Sequence, residues 1–368
     1  MGDQMRIGIV GLGTISDAYL RTLPRLENLD LVAVADLDPM RAEACAERRE
    51  GVRALALPEL YEAEDVDLVL NLTIPAAHAE VALAAIAGGK HVYGEKPLAL
   101  NTVEARGILS SAADAGVRVG CAPDTVLGTG VQTARAGLDA GLIGAPVAAT
   151  AFMVTPGHER WHPAPEFYYR TGGGPLLDMG PYYLTALVTL LGPVRRVVGM
   201  ASTPRSSRTI GSGPRAGTSF GVEVATHVTG VLEHDGGALS TLVTSFDVWA
   251  GHLPRIEIYG TEGSLSVPDP NGFDGSVQVF RGKEPSWLDV GVNGGYPSAS
   301  RGFGIADLAR AIADGTPHRA NGELAFHVLD VMESLLAAAE SGAAVTVSST
   351  CDRPAAVPAR TRERSGRF

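Results

Sequence analysis

Five short apolar runs, RIGIVG, LVAVAD, VDLVLNLT, HVYGE and VRVGCA, recur between Met5 and Ala122, and the stretches between them, such as HAEVALAAIAGG, carry helical periodicity. Strands this apolar cannot leave a face in water, and crossovers long enough for a helix let them pair in parallel, covered on both sides. The first run ends in Gly11-Leu12-Gly13-Thr14-Ile15-Ser16. Between a strand and a helix, Gly11 would make the tight turn and Gly13 would let the backbone approach a pyrophosphate at the helix N-terminus, where free N–H groups favour an anion. Ser16 stands where the fingerprint has its third glycine, so the motif is incomplete. The next run supports it, because LVAVAD ends in Asp36, whose carboxylate can accept from ribose hydroxyls and repels a 2'-phosphate. A Rossmann domain over residues 1–124 is expected, with NAD preferred to NADP; Asp38 and Arg41 blur that preference.

The pattern changes after about residue 145. One helix within LLDMGPYYLTALVTLLG is followed by β-rich segments, VATHVTGVLEHDGGALSTLVTSF, RIEIYGTEGSLSV and SVQVFRG, whose Asp-Gly, Gly-Gly and Glu-Gly turns suit antiparallel hairpins. An α+β domain over residues 125–350 is expected, closed by two late helices, FGIADLARAIADG and ELAFHVLDVMESLLAAAESG. Residues 203–219 read as a Gly/Ser/Pro/Arg-rich loop, and residues 351–368 as a tail, mobile beyond Arg353.

Two domains suit 368 residues. A net charge of -11 without a basic patch argues against nucleic acid, and the lack of an apolar run of about 18 residues argues against a membrane span. MGDQMRIGIVG enters a strand with no signal-peptide pattern, so a cytoplasmic location is expected. Three scattered cysteines suggest neither a disulfide framework nor a thiolate metal site. One stretch points elsewhere. His158-Glu159-Arg160-Trp161-His162 spells the H-E-x-x-H zinc pattern, which works only on a helix that sets both imidazoles on one face. Pro156, Gly157, Pro163 and Pro165 flank it and oppose such a helix, so no zinc is expected.

Further blocks carry a family resemblance. Asn71-Leu72-Thr73-Ile74-Pro75 with His78, then Gly89-Lys90-His91-Val92-Tyr93-Gly94-Glu95-Lys96-Pro97, resemble the T-P-x-x-x-H and G-K-H-V-x-x-E-K-P blocks of the glucose-fructose oxidoreductase and inositol dehydrogenase (Gfo/Idh/MocA) family. The glycine run before Asp178 resembles its G-G-G-x-L-x-D-x-G block, and IYGTEGSLSV a strand block of its second domain. The resemblance implies a Rossmann domain followed by an open-faced, mostly antiparallel sheet through which subunits associate, here as a dimer or tetramer. It also implies oxidation or reduction of a sugar or polyol with NAD(P). The cofactor would be held by Gly11, Gly13, Thr14, Ile15, Asp36, Leu72, Thr73, Pro75, His78, Glu95 and Lys96.

Oxidising a secondary alcohol needs a base for the hydroxyl proton and a place for the hydride. At a strand end, Lys96 can stabilise a developing alkoxide. The resemblance assigns Asp178 to the active site. Tyr182, four residues on, shares its helical face, at a position where many members carry His. A phenol is a poor base at neutral pH unless a cation such as Lys96 lowers its pKa. Tyr183, displaced about 100° around the helix, is the competing candidate and is expected to pack instead. The HERWH segment could wall a sugar pocket, Trp161 stacking on a ring while His158, Arg160, His162 and Tyr169 offer hydrogen bonds. Asp124 is a further candidate for binding substrate hydroxyls, and His327 reads as a core histidine. Three functions remain open: an NAD-dependent sugar, polyol or glycoside dehydrogenase, which leads; an NAD-dependent glycosidase that oxidises C3 transiently; and a non-catalytic sugar-sensing regulator.

Overall fold

A computed structural model of the protein describes residues 4–282 and 286–359. The chain forms two compact units, one built from residues up to Leu127 with Ser298–Phe326, the other from Gly128–Pro297 with His327–Ala359. The first unit holds strands β1 (Met5–Val10), β2 (Leu29–Ala35), β3 (Arg53–Ala54), β4 (Leu68–Asn71), β5 (His91–Gly94) and β6 (Val119–Cys121). All pair in parallel, in the order β3-β2-β1-β4-β5-β6. Helices α1 (Ser16–Thr22), α2 (Pro39–Ala46), α3 (Leu57–Glu62), α4 (His78–Ala87) and α5 (Thr102–Ala115) form the crossovers. Every residue of β4 is buried, as a strand covered on both faces requires.

The second unit contains α6 (Thr129–Asp139), β7 (Pro146–Val154), α7 (Gly174–Leu191), β8 (Val194–Ser202), β9 (Ser207–Thr209) and β10 (Ser219–Gly221). There follow β11 (His227–His234), β12 (Leu239–Ser245), β13 (Ile256–Gly260), β14 (Gly263–Val267), β15 (Val277–Arg281) and β16 (Leu288–Val290). Two helices, α8 (Phe303–Ala313) and α9 (Gly322–Ser341), and strand β17 (Val345–Thr346) complete the sequence. The nine-stranded sheet runs β16-β15-β14-β13-β7-β12-β11-β8-β17, and its pairs are antiparallel except β7 with β12. Burial alternates along β7 and β11, one set of side chains facing helices, the other left on the open face. Small Ala149 and Ala151 on the covered face of β7 give the apolar helix α7 room to approach.

Three sequence expectations need revision. Helix α8 was expected in the second domain but belongs to the first unit, where the Asn28 amide donates to Ala306 O at 2.9 Å and the Thr22 and Ser300 hydroxyls meet at 2.8 Å. Residues 203–219 are not simply a loop: β9 and β10 pair antiparallel, and Arg208 on β9 is buried. Of the tail expected to be mobile beyond Arg353, residues 353–358 are anchored, and residues 360–368 lie outside the described residues. Arg353 donates to the carbonyls of Thr189 and Leu190 at the end of α7, at 2.9 and 2.7 Å, satisfying oxygens that no helical turn follows, and Val357 N bonds Gln132 Oε1 at 2.8 Å. Among the described residues no helix is long and apolar enough to cross a membrane.

Candidate active site

In the first unit the chain order reverses between β1 and β4, so crossovers leave to opposite faces and a crevice opens at the carboxyl ends of the strands. Gly11 sits there with φ +95°, and a Cβ would lie 2.8 Å from the carbonyl carbon of Leu72, so only glycine lets β1 and β4 close so tightly. Gly13 contrasts with it, for nothing lies within 4 Å of where its Cβ would be. Thr14 and Ile15 follow at the surface of the same loop. Ser16 takes the missing glycine's place by bonding Gly13 O through its hydroxyl at 2.7 Å. Asp36 is fixed by two amides, accepting from Leu12 N at 2.7 Å and Asp38 N at 2.9 Å, while Arg41 is drawn to Asp38 at 3.4 Å. An open glycine cradle beside an anchored carboxylate fits the diphosphate and ribose of a nicotinamide dinucleotide. Thr73 is set by Asn71, whose side-chain oxygen accepts from its N–H and hydroxyl, with exposed Pro75 two residues on.

Three residues expected at ligands turn inward. His78 is buried, its ring nitrogens 2.6 Å from Pro97 O and 3.1 Å from Thr73 O, so it braces the β4 loop against the turn after Lys96 instead of offering a nitrogen outward. Burial lowers its pKa. Glu95 is also buried, accepting from the Tyr19 hydroxyl at 2.7 Å and from Lys96 N at 3.2 Å, which ties α1 to the end of β5. Asp124 is fully buried and cannot serve a substrate hydroxyl; its Oδ2 accepts from Gly302 N and Gly304 N at 2.9 and 3.0 Å, caps α8 and holds that helix to the unit. Burial raises its pKa to about 6, against the pull of those N–H groups and Arg301. Half-buried Lys96 stays at the lip of β5.

The second unit gathers the other candidates at the N-terminal end of α7. A Cβ on Gly173 would sit 2.6 Å from Phe167 O, so the glycine run lets the preceding aromatic segment lie against the helix start. His158–Arg160 is a single 3-10 turn, not the helix a zinc pair needs. His158 instead reaches Asp178, Nε2 to Oδ2 at 3.1 Å, with only 11% and 17% of the two side chains exposed. The imidazole packs against Trp161, Tyr168 and Phe246, and His162 meets Trp161, Phe167 and Tyr168 edge-on. Trp161 is 58% exposed, and Arg160 stacks 4.3 Å over the Trp249 ring. Tyr169 faces inward: its hydroxyl accepts from His158 N at 3.2 Å and donates to Glu159, so it is a support and not a sugar contact. Tyr182 lies one turn beyond Asp178, while Tyr183 is buried with its hydroxyl 3.4 Å from Asp269.

Behind the turn lies a residue the sequence reading missed. Arg208 donates to Glu159 Oε1 at 3.1 Å, to Phe246 O at 3.1 Å and to Asp247 Oδ1 at 2.6 Å, and Thr226 completes Asp247 at 2.6 Å. Its position inside a polar, glycine-rich segment gave no signal of burial.

Residues 5–122 match the model of the oxidoreductase family with an NAD-binding Rossmann fold, and residues 131–266 that of the GFO/IDH/MocA C-terminal domain. The chain belongs to the Gfo/Idh/MocA oxidoreductase family. A 1,5-anhydro-D-fructose reductase of Ensifer adhaerens is 30% identical over 269 residues, 71% of this chain and 74% of that protein. A Haloferax volcanii protein named D-xylose 1-dehydrogenase (NADP(+)) 2 is 27% identical over 93% of this chain and 99% of its own length. The crystal structure of an NAD binding oxidoreductase from Klebsiella pneumoniae aligns with a TM-score of 0.78 and 27% identity, over 94% of this chain and 99% of that one. Within the Gfo/Idh/MocA frame, the His158–Asp178 pair and the Arg208 cluster are features of this chain that its motif blocks do not contain.

Proposed function

We propose that this oxidoreductase is an NAD-dependent dehydrogenase or reductase acting on a secondary hydroxyl or ketone of a sugar, cyclic polyol or glycoside. The observation that carries the cofactor choice is Asp36, held at the end of β2 by two amides so that its carboxylate meets a ribose and opposes a 2'-phosphate. Substrate class rests on the setting of Asp178, a carboxylate beside imidazole and an exposed Trp161, a mixture that suits hydroxyls on an apolar ring face. The bound nicotinamide would supply or take the hydride. Lys96 then serves to stabilise the alkoxide, Asp178 to orient the hydroxyl, and Tyr182 to exchange its proton.

The open sheet face supports a homo-oligomer, since Val198, Met200, Val231 and Leu239 leave apolar side chains exposed on neighbouring strands. The test is a panel of sugars, polyols and glycosides followed by NADH absorbance, with dissociation constants for NAD and NADP measured in parallel. Tighter NADP binding would refute the reading of Asp36. Cleavage of a glycoside without net NADH would replace the dehydrogenase with the redox-neutral glycosidase.

A further inference from the structure

The hydrogen bond between Asp178 and His158 gives the site a second proton-carrying group, contributed from outside α7. We propose that the two side chains act as one proton store, with His158 a positioning residue that takes up, through Asp178, the proton which Tyr182 must discard. The proposal rests on the dehydrogenase reading above.

A protonated phenol can receive a substrate proton only if its own proton has somewhere to go. As a class, an imidazole is a better proton receiver near neutral pH than a carboxylate, with reference values of about 6.5 and about 4. At 3.1 Å and largely screened from water, the two groups lie within reach of a direct proton transfer. In the oxidation direction the C–H bond breaks with its electron pair going to the nicotinamide of NAD. The O–H electrons become the second bond of the carbonyl. The hydroxyl proton passes to the Tyr182 oxygen as the phenol proton leaves for Asp178, and the imidazole ends as imidazolium.

The charged side chains around the His158 turn are engaged with one another, and Asp178 is the carboxylate that meets the imidazole. Glu159 turns to Arg208 and Tyr169, Arg160 stacks on Trp249, and Arg208 and Asp247 bond each other. Trp161, Tyr168 and Phe246, the ring neighbours of His158, carry no charge at neutral pH, and Tyr169 meets only its backbone N–H.

His158→Gln tests the idea, because its amide can still donate to Asp178 but cannot hold a proton. With a substrate from the panel, KM should stay within about threefold while kcat falls roughly 10- to 100-fold, and the acidic limb of the kcat profile should move to lower pH. In the cofactor-free protein, the imidazole NMR resonance missing from His158→Gln should be displaced in Asp178→Asn. A His158→Gln enzyme with parental kcat and an unmoved limb, or a resonance that ignores Asp178→Asn, overturns the store. A parent enzyme inactive on the whole panel overturns the dehydrogenase reading first and the store with it, so the two failures are distinguishable.

Discussion

Arg208 shows how much a single side chain can hold in place. Only 2% of its side chain is exposed, and it neutralises Glu159 and Asp247 where neither carboxylate can turn to water. Arg208→Met should therefore cost about 3–5 kcal/mol, far more than the ion pairs themselves are worth, because buried Glu159 loses its Arg208 partner and Asp247 keeps only half-exposed Arg205 at 3.8 Å. Urea unfolding checks this, and adding Glu159→Gln and Asp247→Asn should recover part of the loss. A Met variant as stable as the parent would mean that water reaches the cluster. Catalysis makes a second demand at this scale. Tyr182→Phe and Lys96→Ala should each lower the chemical step by roughly 10²- to 10⁴-fold, with the double mutant well short of the product, since residues working as a unit lose their effect together. Single-turnover rates decide it; independent effects would separate the two roles. Lys96 and Asp178 could be named as candidates because they lie inside motif blocks. Arg208 could not, because its Glu159 partner is 49 positions away and its own segment has the composition of a solvated loop.

Strands and long helices were read correctly where periodicity carried them: the runs that became β1, β2, β4, β5 and β6, and the apolar stretch of α7. Allegiance of an element to a unit was harder. Nothing in FGIADLARAIADG states that its N-terminus is capped by Asp124, nearly 180 positions upstream, because the bond is made by backbone N–H groups that every residue type possesses. That latch has a measurable sign. Burial holds the Asp124 carboxyl at about 6, above the ordinary value of about 3.9, so the folded state binds its proton more tightly than the unfolded chain. The contribution of Asp124 to stability is complete at low pH and is lost as pH rises through about 6. Buried His78 and His318 in the same unit, whose pKa values burial lowers, act in the opposite sense. The comparison must be a difference. Asp124→Asn, which still offers an oxygen to Gly302 and Gly304, should gain up to about 3 kcal/mol on the parent between pH 4 and pH 7. Parallel melts at those two pH values measure it, and a constant difference would mean that Asp124 keeps its charge throughout.

Across the whole molecule, the sheet of the second unit leaves one face without a covering element among the described residues. Helices take one face, and on the other Val231 stands beside Val198 and Thr241, Met200 beside Thr229, and Leu239 beside Glu233. Met200 is 78% exposed, Leu239 47%, Val198 43% and Val231 37%. Covering apolar side chains is favourable at about 25 cal/mol per Å², so this face is where a second copy would gain most by docking. Alternation along the strands made this face legible, since every second residue of the β-rich segments had to point away from the helices. What the face meets is not written in the pattern. If a second copy covers it, the parent should run in solution at a multiple of 38.2 kDa. Met200→Lys with Val231→Lys should then give a folded monomer, because both side chains lie on the uncovered face and leave the helix-facing core untouched. Light scattering reports the mass, and circular dichroism confirms that the monomer is folded. A parent that is monodisperse near 38.2 kDa at micromolar concentration, or a double variant that keeps the parental mass, places the subunit contact elsewhere or nowhere.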